Sequence, residues 1–463
     1  MKTIFKTAVC FLAAILGISL HTSCEKFLDV KSAKSIVIPH KLEDLQALLD
    51  NASFMNYGYY PGLLEMGADD YQLPYSVLSS LPDFEQGIYR WESEPYYIQG
   101  NINNFWSFCY RPVLIVNTVL DELPAMKGAD SERGKEIKGA ALFLRAFSFF
   151  HLAQVYCAPY DIGGNNQGLG IPLRLSPDFN VRSVRSTVQE TYDRILLDLN
   201  EALDLLPNQS DYQTRPNKTA AYAMLARVYL SMEEYDKAGR CADEALKRYD
   251  VLMDYNTMDL SVNIPFPVMN EETIFYAYSF GNQMLNPSRA NINLDLYSTY
   301  ADHDLRKDGY FTIKGEDVVA FKGAKHGRVN SDFFVGLATD ELFLIRAECA
   351  VRQGKTADAM DDLNHLLSHR LEAEAFNGLT ASDAEEALSI ILLERRKELL
   401  MRGIRWSDLR RLNKDPRFAV TLVRMVDDGT QVQTYALPPN DLRYVYLIPQ
   451  EVILKTGMQQ NPR

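Results

Sequence analysis

The chain has 463 residues, 47% of them hydrophobic, and a formal charge of −13. This length is enough to bury a large core, as one big domain or as two closely associated ones. The acidic balance argues against nucleic acid and other polyanions as partners, and the 26 Tyr and 22 Phe exceed what a plain helical scaffold requires.

The first 23 residues predict a bacterial secretory signal. Lys2 and Lys6 precede an apolar run over 8–20, and small residues precede Cys24. The run is too short to span a bilayer comfortably. A cysteine directly after small residues is typical of a lipoprotein signal, in which the mature chain, here 24–463, begins at Cys24 and carries acyl chains, palmitate among them. Cleavage by the ordinary signal peptidase is the alternative.

Two irregular, aromatic-rich segments are predicted. An amphipathic helix over 40–51 is followed by the first segment, 53–100, and the second, 250–336, interrupts the helical part of the chain. Long irregular segments within a compact domain usually carry function. A shorter irregular stretch is expected over 413–443.

The remaining chain predicts about four helical pairs. The clearest is 217–249, where an aromatic residue, Leu, Ala and Tyr recur three and four apart on the first helix and alanines do so on the second. This spacing is typical of tetratricopeptide repeats. The other pairs are predicted over 135–206, 338–370 and 382–412. Thr187 with Glu190 indicates a capping box, and Ser382 with Glu385 is expected to start the last pair. The fold class is therefore mostly α.

Motifs along the chain resemble those of the SusD/RagB family of outer-membrane nutrient-binding lipoproteins. They are Cys-Glu-Lys-Phe-Leu-Asp from Cys24, Leu-Arg-Ala-Phe over 144–147, Gly-Ile-Pro-Leu over 170–173, Glu-Arg-Arg-Lys-Glu-Leu over 394–399 with Arg-Trp-Ser-Asp-Leu-Arg over 405–410, Ile-Pro-Gln-Glu over 448–451 and Gln-Asn-Pro over 460–462. The resemblance covers nearly the whole chain in the family's order.

The resemblance implies a surface-exposed protein, lipid-anchored at Cys24 in the outer membrane, that binds a nutrient and delivers it to a SusC-like TonB-dependent transporter. The ligand class it implies is usually a glycan; a peptide, as in a RagB-like receptor, is the alternative. A structural or adhesive surface protein without transport is the competing class. Sugar faces pack on aromatic rings, so ligand contacts are expected first from Trp91, and then from Tyr75, Tyr96 and Tyr297. Trp106 and Trp406 are interpreted as packing residues.

No enzyme is expected. The sequence has no nucleophile elbow, Walker loop, G-x-G-x-x-G or H-E-x-x-H motif. His365 and His369 have a spacing that zinc would accept, but no third ligand is evident. Glu65, Asp69 and Asp70 suggest paired carboxylates only weakly, and turn formation or hydrogen bonding explains them as well. No cofactor or metal is predicted.

Overall fold

A computed structural model describes residues 39–60, 62–94, 102–279, 283–322 and 332–463, with the backbone alone at 58–60 and 102–104. Contacts group the chain into two units, Met1–His40 and Lys41–Arg463. The helices and strands given below lie in the second unit. Within the described residues, no helix is both long and apolar enough to span a membrane.

Twelve helices of seven or more residues make up most of the scaffold in the described part of the chain. In chain order the helices are α1 Leu42–Leu49, α2 Ala52–Met55, α3 Leu63–Met66, α4 Tyr75–Leu78, α5 Asp83–Tyr89, α6 Ile102–Glu122, α7 Glu132–Tyr156, α8 Val188–Leu205, α9 Lys218–Ser231, α10 Tyr235–Leu246, α11 Leu294–Tyr297, α12 Arg306–Tyr310, α13 Thr339–Arg352, α14 Thr356–Ser368, α15 Ala384–Glu398, α16 Arg405–Leu412 and α17 Gln450–Thr456.

The strands are short and form small sheets rather than one layer. They are β1 Tyr57–Tyr60, β2 Tyr71–Gln72, β3 Thr273–Phe275, β4 Tyr278–Ser279, β5 Asn291–Ile292, β6 Phe311–Gly315, β7 Val318–Phe321, β8 Phe333–Phe334, β9 Leu337–Ala338, β10 Leu422–Asp427 and β11 Val432–Leu437. Strands β1, β4 and β8 form a three-stranded sheet, and the others pair as β2–β5, β3–β9, β6–β7 and β10–β11.

Helix α7 lies at the centre of the scaffold. Every residue from Gly139 to Tyr156 is buried, because α6 packs on one side of the helix and α8 on another. Arg145 links the three helices: its guanidinium donates to Asp198 of α8 at 2.7 Å and to Asn117 of α6 at 3.0 Å. The predicted helical pairing of 135–156 with 187–206 is therefore present, and α6 adds a third layer.

The pairs α9–α10 and α13–α14 pack in succession, as their residue spacing predicts. Ala238, Ala242 and Ala245 of α10 are fully buried, and a Cβ at Gly239 would stand 2.9 Å from the Cβ of Cys349 on α13. Small residues thus allow α10 and α13 to approach closely. The mostly α, tetratricopeptide-like fold class is confirmed.

Side-chain hydrogen bonds cap the first turns of α8 and α15. The capping box of Thr187 with Glu190 is present at the start of α8. The cap of α15 is Asp383 rather than Ser382, because the Asp383 carboxylate accepts from the backbone of Glu385 and Glu386 at 2.9 Å.

The fourth pair differs from the others. Helix α15 packs on α13, whereas α16 turns away and packs on α3 and α9. The two helices are still joined by an ion pair between Arg395 and Asp408 at 2.9 Å. The stretch 413–443 is not irregular, because it contains the β10–β11 hairpin.

Candidate ligand-binding face

The two aromatic-rich segments meet on the helical scaffold and form one layer, which we call the cover (described residues of 53–100 and 250–336). Strand β1 pairs with β4 through Tyr57 and Tyr278, and β2 pairs with β5 through Tyr71 and Ile292. The backbone N–H of Asn293 also donates to the carbonyl of Asp70 at 2.9 Å. Segments separated by more than 200 residues are thus held together by backbone pairing.

Trp91 lies on the buried side of this layer, in the core, so the prediction that its ring faces a ligand is wrong. Its side chain is 4% exposed and its Nε1–H donates to the carbonyl of Gly67 at 2.9 Å. The Arg424 guanidinium lies 4.4 Å from the indole ring centre. Neither the ring face toward Arg424 nor the indole N–H is available to a sugar. A left-handed backbone at Trp91, with φ of 51°, turns the chain at the end of α5.

Tyr75 and Tyr297 lie at the surface of the cover. Tyr75 begins α4, just after β2, and is 42% exposed. Tyr297 ends α11, just after β5, and is half-buried: Lys307 Nζ lies 5.4 Å from its ring centre and the Phe311 ring meets it edge-on at 5.3 Å. The β2–β5 pairing brings these two parts of the chain together. Tyr96 and Cys24 lie outside the described residues.

A second group of aromatic and charged side chains lies at the β1–β4–β8 sheet, and we call it the sheet edge (Phe54, Tyr57, Phe108, Arg111 and Asp332). Tyr57 is on the outer strand β1, and Asp332 directly precedes the other outer strand, β8. Tyr57 Oη donates to Asp332 Oδ2 at 2.8 Å. The Arg111 guanidinium lies between two rings, 5.3 Å from Phe54 and 5.5 Å from Phe108. Phe54 is 36% exposed, and Arg111 is exposed as well.

Chain geometry explains why these residues converge. Helix α2 runs directly into β1, so Phe54 and Tyr57 are three residues apart, and α6, which carries Phe108 and Arg111, packs on β1. Strand β8 starts directly after Asp332 and pairs with β4. The aromatic residues 54 and 57 belong to the run that marks the first irregular segment. Arg111 and Asp332 have no signal in the sequence, because only the strand pairing and the helix packing bring them to this edge.

The carboxylates Glu65, Asp69 and Asp70 form part of an internal ion-pair network. Asp69 accepts from Arg405 Nε at 2.7 Å and from Arg396 at 3.0 Å, and Asp70 accepts from Arg396 Nε at 2.8 Å. Burial alone would raise the pKa of Asp69, but Arg405 and Arg396 together outweigh it and hold that pKa well below its usual range. These contacts fix the cover to α15 and α16.

Glu65 is different, because it has no arginine partner of its own. Both its oxygens are buried, one accepting from the backbone N–H of Gly403 and the other having no hydrogen-bond partner among the described residues. Burial, with Asp70 nearby, raises its pKa to about 8. A carboxyl that holds its proton near neutral pH resembles a general acid, but here it lies below the surface, 1% exposed, away from any described cleft.

One group of described residues has the spacing of a metal site. Oxygens of Glu272, Asp340 and Glu398 lie within 4.8 Å of one another, all buried. Arginines already neutralise them: Arg370 donates to Glu272 and Glu398, and Arg402 donates to Asp340 at 3.0 Å. The guanidinium groups therefore provide the positive charge that a bound metal ion would otherwise provide. The rings of His365, in α14, and His369, directly after it, meet edge-on with their centres 5.2 Å apart, and His369 Nδ1 contacts the His365 carbonyl.

Two family models match the chain over most of its length. Residues 26–230 match a SusD-like model described as starch-binding and associating with the outer membrane, and residues 271–463 match the model of the SusD family. The chain belongs to the SusD/RagB family. The two matches follow one another in order, and the gap between them, 231–270, contains α10.

Known SusD-like proteins align over nearly the whole chain. SusD-like protein P38 of Formosa agariphila is 23% identical, over 89% of this chain and 93% of its own. The crystal structure of a putative sugar-binding protein of Bacteroides vulgatus superimposes with a TM-score of 0.71 at 21% identity, over 92% of this chain and 99% of that one. A laminarin-binding SusD-like protein superimposes with a TM-score of 0.63 at 18% identity, over 92% and 100%. The SusD fold is thus shared.

Proposed function

We propose that this SusD-family protein is a surface lipoprotein that binds a glycan and delivers it to a SusC-like TonB-dependent transporter in the outer membrane. The observation that carries the proposal is the sheet edge, where the partly exposed Phe54 ring lies against the exposed Arg111 guanidinium. The family model described as outer-membrane associated and the laminarin-binding relative support the same class of ligand.

The chemistry of the sheet edge fits a sugar ring. The faces of a pyranose carry C–H groups that pack on an aromatic ring, and its hydroxyl groups require hydrogen-bond partners at the rim. Phe54 offers a partly exposed ring, and Arg111, held against it, keeps N–H groups at the same surface. Asp332 accepts hydrogen bonds and is already positioned by Tyr57. Tyr75 and Tyr297 remain proposed as further contacts.

The proposal is tested by isothermal titration with laminarin and starch oligosaccharides, and with a peptide library as the comparison ligand. Replacing Phe54 by Ala removes the exposed ring, and we expect glycan affinity to fall by about 1–2 kcal/mol, roughly 5- to 30-fold. Because the ring is partly exposed, the melting temperature is expected to change little.

The matched control is Phe179→Ala. Phe179 is an exposed phenylalanine, 88% accessible, on the connection between α7 and α8, next to Trp106 and Tyr110 of α6. This variant removes the same side chain from a different surface, so affinity is expected to stay unchanged. Equal losses in both variants, or binding of peptides with no binding of any glycan, would contradict the proposal.

A further inference from the structure

An internal cavity of ≈ 20 Å³ lies where α7, α9, α15 and α16 meet. Four guanidinium groups line it, from Arg227, Arg395, Arg402 and Arg411, against the single carboxylate of Asp408. A site of about 10–15 Å³ by the same measure holds one water molecule. The cavity therefore accepts one particle of the size of water or slightly larger, and it excludes phosphate and sulfate.

The carboxylates that neutralise these arginines mostly lie outside the cavity wall. Arg227 pairs with Glu341 at 2.6 Å, Arg411 with Glu348 at 2.6 Å and Arg402 with Asp340 at 3.0 Å. None of those three carboxylates lines the cavity. These three arginines are therefore held from outside the cavity, whereas Arg395 pairs with Asp408 in its wall at 2.9 Å. The lining itself carries four guanidinium groups and one carboxylate.

Two of the arginines keep N–H groups without acceptors. Arg395 Nη1 and both Nε and Nη2 of Arg402 are buried and have no hydrogen-bond partner among the described residues. Each of these residues is 2% exposed. A buried donor without an acceptor costs about 1–3 kcal/mol and more when it is charged, so three such groups on one cavity call for an occupant that accepts hydrogen bonds.

The N-terminus of α16 points to the same kind of occupant. The eight-residue helix has no side-chain cap, and its N-cap residue is Ile404. Ile404 and Ser407, in the first turn, line the cavity, whereas the N–H of the preceding Gly403 already donates to Glu65. The first N–H groups of a helix are free donors at the positive end of its dipole and bind anions. This feature is independent of the arginine side chains.

We propose that the cavity binds one halide ion, chloride in ordinary media. A water molecule accepts two hydrogen bonds and carries no charge, whereas a halide accepts several and balances the charge of the wall. The site lies inside the scaffold, below the cover, and does not depend on the proposed glycan binding. It would join the first, second and fourth helical pairs through a single ion.

The first test uses crystals of the unaltered protein grown in sodium bromide and measured at the bromine absorption edge. We expect an anomalous peak in the cavity within hydrogen-bond distance of Arg395 and Arg402. A water-like density without an anomalous signal, or bromide at the surface only, would overturn the proposal.

The second test measures thermal stability at constant ionic strength while sodium gluconate is replaced by sodium chloride. Binding to the folded state alone should raise the melting temperature by roughly 1–2 °C for each tenfold increase in chloride above its dissociation constant. Arg395→Met should abolish this dependence, and Arg417→Met, at an exposed arginine paired with Asp415, should preserve it. A dependence that persists in Arg395→Met, or is absent from the unaltered protein, would contradict halide binding in the cavity.

Discussion

Arg424 contacts three aromatic rings on the buried side of the cover. Its guanidinium lies 4.0 Å from the ring centre of Tyr89, 4.4 Å from that of Trp91 and 5.0 Å from that of Tyr71. It donates to backbone carbonyls, including that of Met66 at 3.2 Å. Ring faces and carbonyl dipoles thus stabilise a buried cation, and the rings must keep their positions for this to hold.

Replacing Trp91 by Ala should therefore destabilise the fold. The change removes a fully packed ring, one hydrogen bond to Gly67 and one face of the Arg424 site, and we expect a loss of about 3–5 kcal/mol in the free energy of unfolding. Urea denaturation followed by circular dichroism measures it. Tyr75→Ala is the control, since that ring is largely exposed, and it should cost well under 1 kcal/mol. Similar midpoints for the two variants would show that Trp91 is not a core residue.

Glu65 should make stability depend on pH near neutrality. Its pKa of about 8 in the folded protein exceeds the value of about 4.3 expected in the unfolded chain. Between these pH values the folded state keeps a proton that the unfolded state has released. The free energy of unfolding therefore falls as pH rises through this window, by about 5 kcal/mol in all as an upper bound.

The Glu65→Gln variant removes this titration while retaining an oxygen that accepts from Gly403. We expect its stability relative to the unaltered protein to increase as pH rises from 5 to 8, as measured by urea midpoints across that range. Glu43→Gln, at an exposed position in α1, should leave the pH profile unchanged. A constant difference between Glu65→Gln and the unaltered protein would show that Glu65 ionises at its ordinary pKa.

The sequence indicated the aromatic segment that forms the proposed binding face, but not which of its rings are exposed. The aromatic run over 53–97 marks the segment that forms the cover, and Phe54 and Tyr57 belong to it. Which ring faces outward depends on the turn after α5 and on Arg424, which lies more than 300 residues further on. Neither is visible in the local sequence around Trp91.

At the scale of elements, local spacing predicted the helices well and the strands poorly. Helical faces repeat within one segment, so the pairs around α9 and α13 could be identified from the positions of Ala, Leu and Tyr alone. Most strands here have two to four residues, which is too few for a periodic pattern.

The β10–β11 hairpin was not predicted, for a different reason. In β10 the residues buried are Leu422, Arg424 and Val426, whereas Val423 and Met425 are exposed. Apolar side chains therefore occur on both faces and an arginine points inward, which removes the alternation by which a strand is recognised.

The contact of α3 with α16 offers a test at the same scale. Gly67 ends α3, where a Cβ would lie 2.7 Å from the Trp406 ring and closer still to the Tyr446 hydroxyl. The ring of Trp406 is fully buried and cannot move away without displacing its neighbours. We expect Gly67→Ala to cost about 1–3 kcal/mol through overpacking.

Chemical denaturation measures this cost, with Gly168→Ala as the control. At Gly168 the nearest atom to an added Cβ is Val188 Cγ2 at 3.9 Å, an ordinary contact. If Gly67→Ala is as stable as Gly168→Ala, the approach of α3 to Trp406 is looser than described.

For the whole molecule, the anchor proposed at Cys24 determines where the protein acts. Replacing Cys24 by Ala removes the acylation site, and the protein should then leave the outer-membrane fraction after a high-salt wash, because stable anchoring requires more than one acyl chain. The unaltered protein should co-purify with a large β-barrel transporter under mild detergent extraction, since the anchor raises its effective concentration at the membrane.

Cys109→Ala is the control, because Cys109 is a buried cysteine of α6 that lies outside the predicted signal. It should remain in the membrane fraction and retain the transporter. Membrane association of Cys24→Ala equal to that of Cys109→Ala would contradict the anchor, and recovery of the unaltered protein as a monomer beside an intact transporter would contradict the partnership.

The ion pairs and hydrogen bonds that hold the cover connect the two ends of the chain. Asp69 pairs with Arg405 at 2.7 Å, the Leu63 carbonyl accepts from Tyr446 at 3.0 Å, and the Trp91 carbonyl accepts from Arg443 at 2.8 Å. A ribosome releases residues 63–91 long before residues 405–446. The helical pairs, whose contacts are closer in sequence, can form as the chain emerges, but the cover has to wait for the last sixty residues. The part of the cover over residues 63–91 is thus among the last to be fixed in place, and a chain that ends early would leave it without these contacts to the scaffold.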